Sequence, residues 1–152
     1  MDNIFETLAI DVRDAIDAEQ LIFDLVERTY PCEGFEDVSL YTYMDLDTTA
    51  MADQGRVILF QVTSPQQINR MFWKFTVSFT VLGATGNGVD VLARDLYRRV
   101  KHWPLEEGTD AGSLGKIVDI DAPRRFSDAK ENAGKSVSEY AFDVTFTARD
   151  PY

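Results

Sequence analysis

The sequence predicts an α+β domain: a mainly antiparallel sheet of about five strands, with N-terminal helices and one helix between strands 3 and 4 packed on it. Three observations predict it. The first thirty residues carry apolar positions at helical spacing behind two capping signatures. From Asp37 onward apolar and polar residues alternate with a period of two. One later segment, Val89 to Trp103, returns to the helical period between two strand-like runs.

Asn3 is followed three residues later by Glu6, and Asp17 by Gln20. Each pair fits a side-chain acceptor at the helix start with a Glu or Gln reaching back to it. Ile4, Leu8, Val12 and Ile16 form one apolar stripe, and Leu21, Ile22, Leu25 and Val26 form a second. The two are rotated by roughly a quarter turn at ~100° per residue, which predicts two short helices or one kinked near Asp17. Pro31 ends the second.

Val38 to Met44 reads as a strand, Asp45 to Gln54 as a long polar loop, and Val57 to Val62 as the next strand. Ser64 to Gln67 turns the chain. In the strand Met71 to Leu82, Trp73, Phe75, Val77, Phe79 and Val81 alternate with Lys74, Thr76, Ser78 and Thr80. Such alternation marks a sheet covered on one side.

Gly83 to Gly88 is a glycine-rich turn, with Asn87 as the predicted cap of the following helix. It is not a phosphate loop: the Gly-Lys-Ser/Thr ending is missing, and Gly83, Gly86 and Gly88 lack the dinucleotide spacing. The helix places Val89, Leu92, Leu96, Val100 and Trp103 on one face. Asp90 near its start and Arg98, Arg99 and Lys101 near its end complement the helix dipole, and Pro104 closes it. Leu105 to Ser113 reads as an acidic loop, Lys116 to Ile120 as a strand, and Arg124 to Ser136 as an exposed loop. The last strand, about Val137 to Ala148, ties the end of the chain into the sheet. The predicted core is Trp73, Phe75, Phe79, Leu92, Leu96, Trp103, Phe142 and Phe146.

With 152 residues, the chain fits one domain over 1–152 with its own core. Its one cysteine, Cys32, precludes an internal disulfide and suits a reducing compartment. The acidic start Met1-Asp2-Asn3-Ile4 does not read as a signal peptide, and no apolar run approaches the ~20 residues that cross a bilayer. The expectation is a soluble protein that stays where it is made. Residues 1–50 hold 13 acids against Arg13 and Arg28, so this third carries the whole formal charge of −11. Such a balance argues against tight nucleic-acid binding, which needs cations on phosphates. It reads either as a solvated helix face or as a surface that repels a polyanion or meets a basic partner.

Chemistry-bearing constellations are sparse. His102 is the lone histidine, and Cys32 follows a helix-ending proline with no thiol-enzyme context. A structural zinc site lacks its four Cys/His ligands. Asp45 with Asp47, and Asp119 with Asp121, set carboxylates two apart but have no third ligand at a known spacing. Glycosidase-type acid pairs are a spatial matter that sequence does not address. The expectation is a protein that is not an enzyme and uses no cofactor or metal. It works by association through sheet edges and loops.

The order of these elements resembles the tail terminator proteins of long-tailed bacteriophages and, more broadly, their head–tail joining and tail-completion proteins. The resemblance runs from about residue 3 to 150. It is carried by the strand Phe72 to Phe79, the glycine turn, the helix Val89 to Trp103 and the terminal strand Tyr140 to Phe146. The second N-terminal helix is longer than in the simplest members of the family. The resemblance implies a ring, typically six-fold, at the head-proximal end of the tail tube. Its implied partners are copies of itself, the major tail tube protein and the connector or neck proteins, with genomic DNA passing through the hole unbound. The acidic N-terminal third would then line the lumen without gripping DNA. The loops Asp45 to Arg56 and Arg124 to Lys135 read as assembly contacts (Asp45, Asp47, Gln54, Arg56, Arg124, Arg125, Lys130 and Lys135) or as plain solvent-exposed loops. The alternatives are a head-side neck or connector protein, a non-viral α+β domain that binds a small molecule against its apolar sheet face, or an enzyme with no recognisable motif.

Overall fold

The computed structural model describes residues 15–42, 55–126, 130–132 and 135–151. Helix α1 (Ala18–Thr29) begins where Asp17 Oδ1 accepts the Gln20 backbone N–H at 3.0 Å. The return half of the expected capping box does not form, because the Gln20 amide donates to Asp24 Oδ1 at 2.7 Å instead. Leu21, Ile22, Leu25 and Val26 are buried, as their spacing predicts.

Eight strands follow in one sheet: β1 (Ser39–Tyr41), β2 (Val57–Val62), β3 (Gln66–Gln67), β4 (Phe72–Ala84), β5 (Ser113–Ile120), β6 (Arg124–Arg125), β7 (Lys130–Asn132) and β8 (Lys135–Arg149). Helix α2 (Val89–His102) separates β4 from β5 and runs into a 3-10 turn, Trp103–Leu105. The main path across the sheet is β1-β2-β4-β8-β5. Strand β3 pairs with β4, while β6 and β7 pair with β8.

This arrangement corrects the predicted α+β architecture. Among the described residues the chain is sheet-dominated, with eight strands in place of about five. The sheet is mixed, because β1 runs parallel to β2 with Ser39 beside Val57. Helix α2 lies between the fourth and fifth strands, not the third and fourth. Among the described residues one α-helix, not several, precedes the sheet. The first predicted helix, with its cap Asn3 and stripe Ile4, Leu8 and Val12, lies outside the described residues. So does the predicted loop from Asp45 to Gln54.

The extra strands have a physical cause. Strands β4 and β8 pair over thirteen positions, from Phe72 beside Arg149 to Ala84 beside Val137. They outrun their other neighbours and leave backbone N–H and C=O groups along their flanks that need partners. Segments of two or three residues fill those places. Gln66–Gln67, predicted as turn, and the pieces 124–125 and 130–132, predicted as loop, are recruited this way.

The start of α2 also departs from expectation. Gly88, not Asn87, is the N-cap, held at φ +75° with no side-chain cap, a left-handed conformation that glycine adopts without steric cost. The alternating apolar residues of β4 and β8 then meet the helix. Phe79 lies 5.2 Å from Phe142 in a stacked pair and 6.0 Å from Trp103 edge-on, while Tyr97 meets Phe142 edge-on at 5.6 Å. Of the predicted core, Phe75, Phe79, Leu92, Leu96, Trp103, Phe142 and Phe146 are buried, and Trp73 is half-buried at the margin. Val57, Leu59, Leu82 and Val137 make a second, smaller cluster, with Tyr41 packed against it. No helix among the described residues is long and apolar enough to cross a membrane.

Candidate assembly surfaces

Two polar nodes, one part-exposed and one buried, tie the elements together beneath the surface. The first is Arg56, just before β2. Its guanidinium meets both oxygens of Asp37 at 2.7–3.2 Å, donates to the Gly34 carbonyl at 2.8 Å and lies 4.9 Å over the Phe35 ring. The Arg56 backbone N–H also donates to Asp37 at 2.9 Å, and Nη1 reaches the Gly88 carbonyl at 3.4 Å. These hydrogen bonds hold the Asp37 carboxyl below the usual carboxylate range. One side chain thus ties the segment after α1 to β2 and to the start of α2.

The second node is Asp95, in the middle of α2 and buried. It accepts from the Tyr30 hydroxyl at 2.5 Å, from Arg98 Nη2 at 2.7 Å and from Arg99 Nε at 2.9 Å. Burial pushes its carboxyl upward, but the hydrogen bonds from Tyr30, Arg99 and Arg98 outweigh that and hold it low. Burial and the bond to Asp95 push the Tyr30 phenol far above its ordinary value. The node fixes α1 against α2.

Against this frame stand two surface features of opposite character. A groove of about 590 Å³ runs beside the first half of α2, between Ala93 and Tyr97 on the helix and Pro123 and Tyr140 on the sheet side. A recess of about 320 Å³ adjoins it, shares Asp90 and Tyr140, and includes Arg125. At the far end of α2, Leu105 is 85% exposed. It is followed by Glu106 and Glu107, and Arg28 donates to the Glu106 carboxylate at 3.4 Å and to the Glu107 carbonyl at 2.9 Å.

The predicted contact residues are dispersed. Asp45, Asp47 and Gln54 lie outside the described residues. Arg56 is engaged within its own subunit as above. Arg124 and Arg125 are exposed on β6, beside Ala141 and Tyr140 of β8; Arg125 lines the smaller recess, while Arg124 falls on the other face of the sheet. The backbones of Lys130 and Lys135 belong to β7 and β8 and pair with Val137 and Asn132. Sequence reading missed Asp95, although its spacing of three and four residues to Arg98 and Arg99 is a legible signal. It also missed Leu105, an apolar residue between Pro104 and two glutamates, off every predicted apolar face.

His102 is exposed and Cys32 half-buried. Among the described residues no group of three or more His, Cys, Asp or Glu side chains could hold a metal ion. What the described surface offers is an apolar groove edged by the Asp90–Arg94 pair, an exposed leucine beside two glutamates, and sheet edges at β1 and β5. No protein-family model matches the chain, and no curated protein matches it.

Proposed function

We propose that the chain is a ring-forming tail terminator of a long-tailed bacteriophage. It would sit at the head-proximal end of the tail tube, end tube growth and present a face to the neck proteins. One observation carries the reading. The four segments that bear the family resemblance form a single unit: β4 and β8 pair along their whole common length, the glycine turn leaves β4, and α2 packs across both strands. A unit of this kind, with edges and surface patches left over, works by association. Acidic side chains on and after α1, among them Glu19, Glu27, Glu33 and Glu36, are exposed. In a ring they would give DNA no cationic surface to hold.

The test is negative-stain imaging of the purified protein, alone and with polymerising tail-tube subunits. The expected result is rings, or tubes that are capped and limited in length. Unchanged tubes alongside a protein that never forms a ring would overturn the proposal, and capture by a head-side connector instead would move the role to the neck.

A further inference from the structure

We infer that the outer face of the sheet, the one opposite the helices, pairs with the same face of a second copy of this chain across a two-fold axis. This pairing goes beyond the ring reading and does not rest on it.

Both described helices pack on one side of the sheet, against inward residues such as Phe75 and Phe146. The residues between these point the other way. On that outer face the register gathers charge into two bands. Lys74 of β4 and Lys116 of β5 flank Thr147 of β8, and Arg149 follows on the same side of β8. In the other direction Asp119 stands beside Thr145, and Asp143 comes next on β8. Asp121 lies alongside it, its N–H donating to the Asp143 carbonyl at 3.0 Å. All six are exposed, and none makes an ion pair among the described residues. Arg124, beside Ala141 and one row past Asp143, makes none with them either.

This segregation works against the lone chain. Like charges side by side on neighbouring strands repel, and Asp121 and Asp143 are such neighbours. The two bands nevertheless match each other in order and number, three cations against three carboxylates, so a copy turned end for end satisfies both. With the two-fold axis lying across the strands at Phe146, β8 crosses over β8 and β5 over β5. Arg149 then lies over Asp143 of the second copy and Lys116 over its Asp119, and the symmetry repeats each pair.

The middle of the face permits close approach. Thr76 and Thr145 are short there, with their hydroxyls 2.8 Å apart. Val118 shares the place opposite Thr145 with Asp119 in a bulge and is 48% exposed. It therefore sits near the axis and meets its own copy. Sheets packed face to face keep their strand directions within about 30°, so the charges near the axis hold their order and fix one register.

Sedimentation velocity and light scattering on the full chain, over a range of protein and salt concentrations, test this. Wild type should form a two-copy species that dissociates as salt rises, because exposed charges are screened. The variants are Arg149→Asp and Asp143→Arg, both at exposed positions on an interior strand, where pairing of sheet edges does not reach. Thermal melts verify that they fold, and Lys116→Asp with Asp119→Lys repeats the experiment on β5. Each variant alone sets like charges against each other twice and should associate at least ~10-fold more weakly than wild type. Mixed one to one, Arg149→Asp and Asp143→Arg should recover the two-copy species, because each supplies the charge the other lacks. A wild-type dimer that both variants form equally well overturns the inference, as does a mixture that fails to recover. A wild type that stays monomeric at low salt also overturns it. Species larger than two copies that the reversals abolish would assign the face to a head-to-tail contact and overturn the two-fold pairing.

Discussion

The hydroxyl of Tyr30 and the carboxylate of Asp95 meet at 2.5 Å, joining the end of α1 to the middle of α2 across 65 residues of chain. Tyr30 also stands edge-on to Phe35 at 5.7 Å, and Arg99 lies 5.8 Å over its ring. The bond therefore sits where helix packing and the segment after α1 converge. Tyr30→Phe keeps the ring and deletes only the donor. Hydrogen bonds to charged groups contribute about 1.5–3 kcal/mol, so a loss of that size is expected. Asp95→Ala should cost more, because it leaves the Tyr30 hydroxyl buried without its acceptor. Urea unfolding with an unchanged slope and a lower midpoint would verify both.

The two polar nodes together predict how stability depends on pH. Asp37 and Asp95 both titrate below the ordinary carboxylate value of about 3.9 in the folded chain. Their contribution is complete above that value and drains away as pH falls through the depressed folded values. Tyr30 behaves oppositely. Its phenol is held protonated above the ordinary value of about 10, so the unfolded chain loses that proton first and stability falls as pH rises past 10. Midpoints measured from pH 2 to 11 should show a plateau with two falling limbs. Asp37→Asn should flatten the acid limb and Tyr30→Phe the alkaline one; limbs indifferent to both substitutions would assign them to other groups.

Arg56 is expected to be intolerant even of lysine. Its fork serves Asp37 and Gly34 at once, and a single ammonium cannot reproduce that geometry. Arg56→Lys should lower stability by about 1–3 kcal/mol, the range for a charge-assisted pair left part-satisfied. Hydrogen exchange supplies the local readout: protection at residues 34–38 should fall in the variant while the centre of β4 stays protected.

Gly83 is predicted to resist even a methyl group. A Cβ there would stand 2.7 Å from Val89 Cγ2 and 3.2 Å from Arg56 Cγ. Gly83→Ala should push the first turn of α2 off the sheet at a cost of about 1–3 kcal/mol. Pairing it with Val89→Ala, which removes the obstructing methyl, should recover part of that loss, and a thermal-melt double-mutant cycle would measure the coupling.

The helical stripe of α1, the alternation of β4 and β8 and the apolar face of α2 were all legible in the sequence. Each is a local periodicity that decides which side of an element is buried, whatever that side meets. The same reading located the Asp17 cap and nearly all of the predicted core. It could not foresee β3, β6 and β7, because two or three residues carry no period of their own. They become strands only where longer neighbours leave backbone groups unpaired. Nor could it foresee that β1 runs parallel to β2, which depends on how the chain crosses between them.

Arg56 shows the same division at the level of a side chain. Sequence placed it at the end of a polar loop, as a candidate contact for partners. Tertiary structure gives it Asp37 and Gly34 from the connection after α1 and Gly88 from the start of α2, two separate segments. The groove is likewise a product of assembly within the chain, since Tyr97, Pro123 and Tyr140 are neighbours only after β8 has paired and α2 has packed on it. Periodicity determines what each element buries. Only the folded chain decides which buried faces meet, and so which polar groups are consumed inside and which surfaces are left for other molecules.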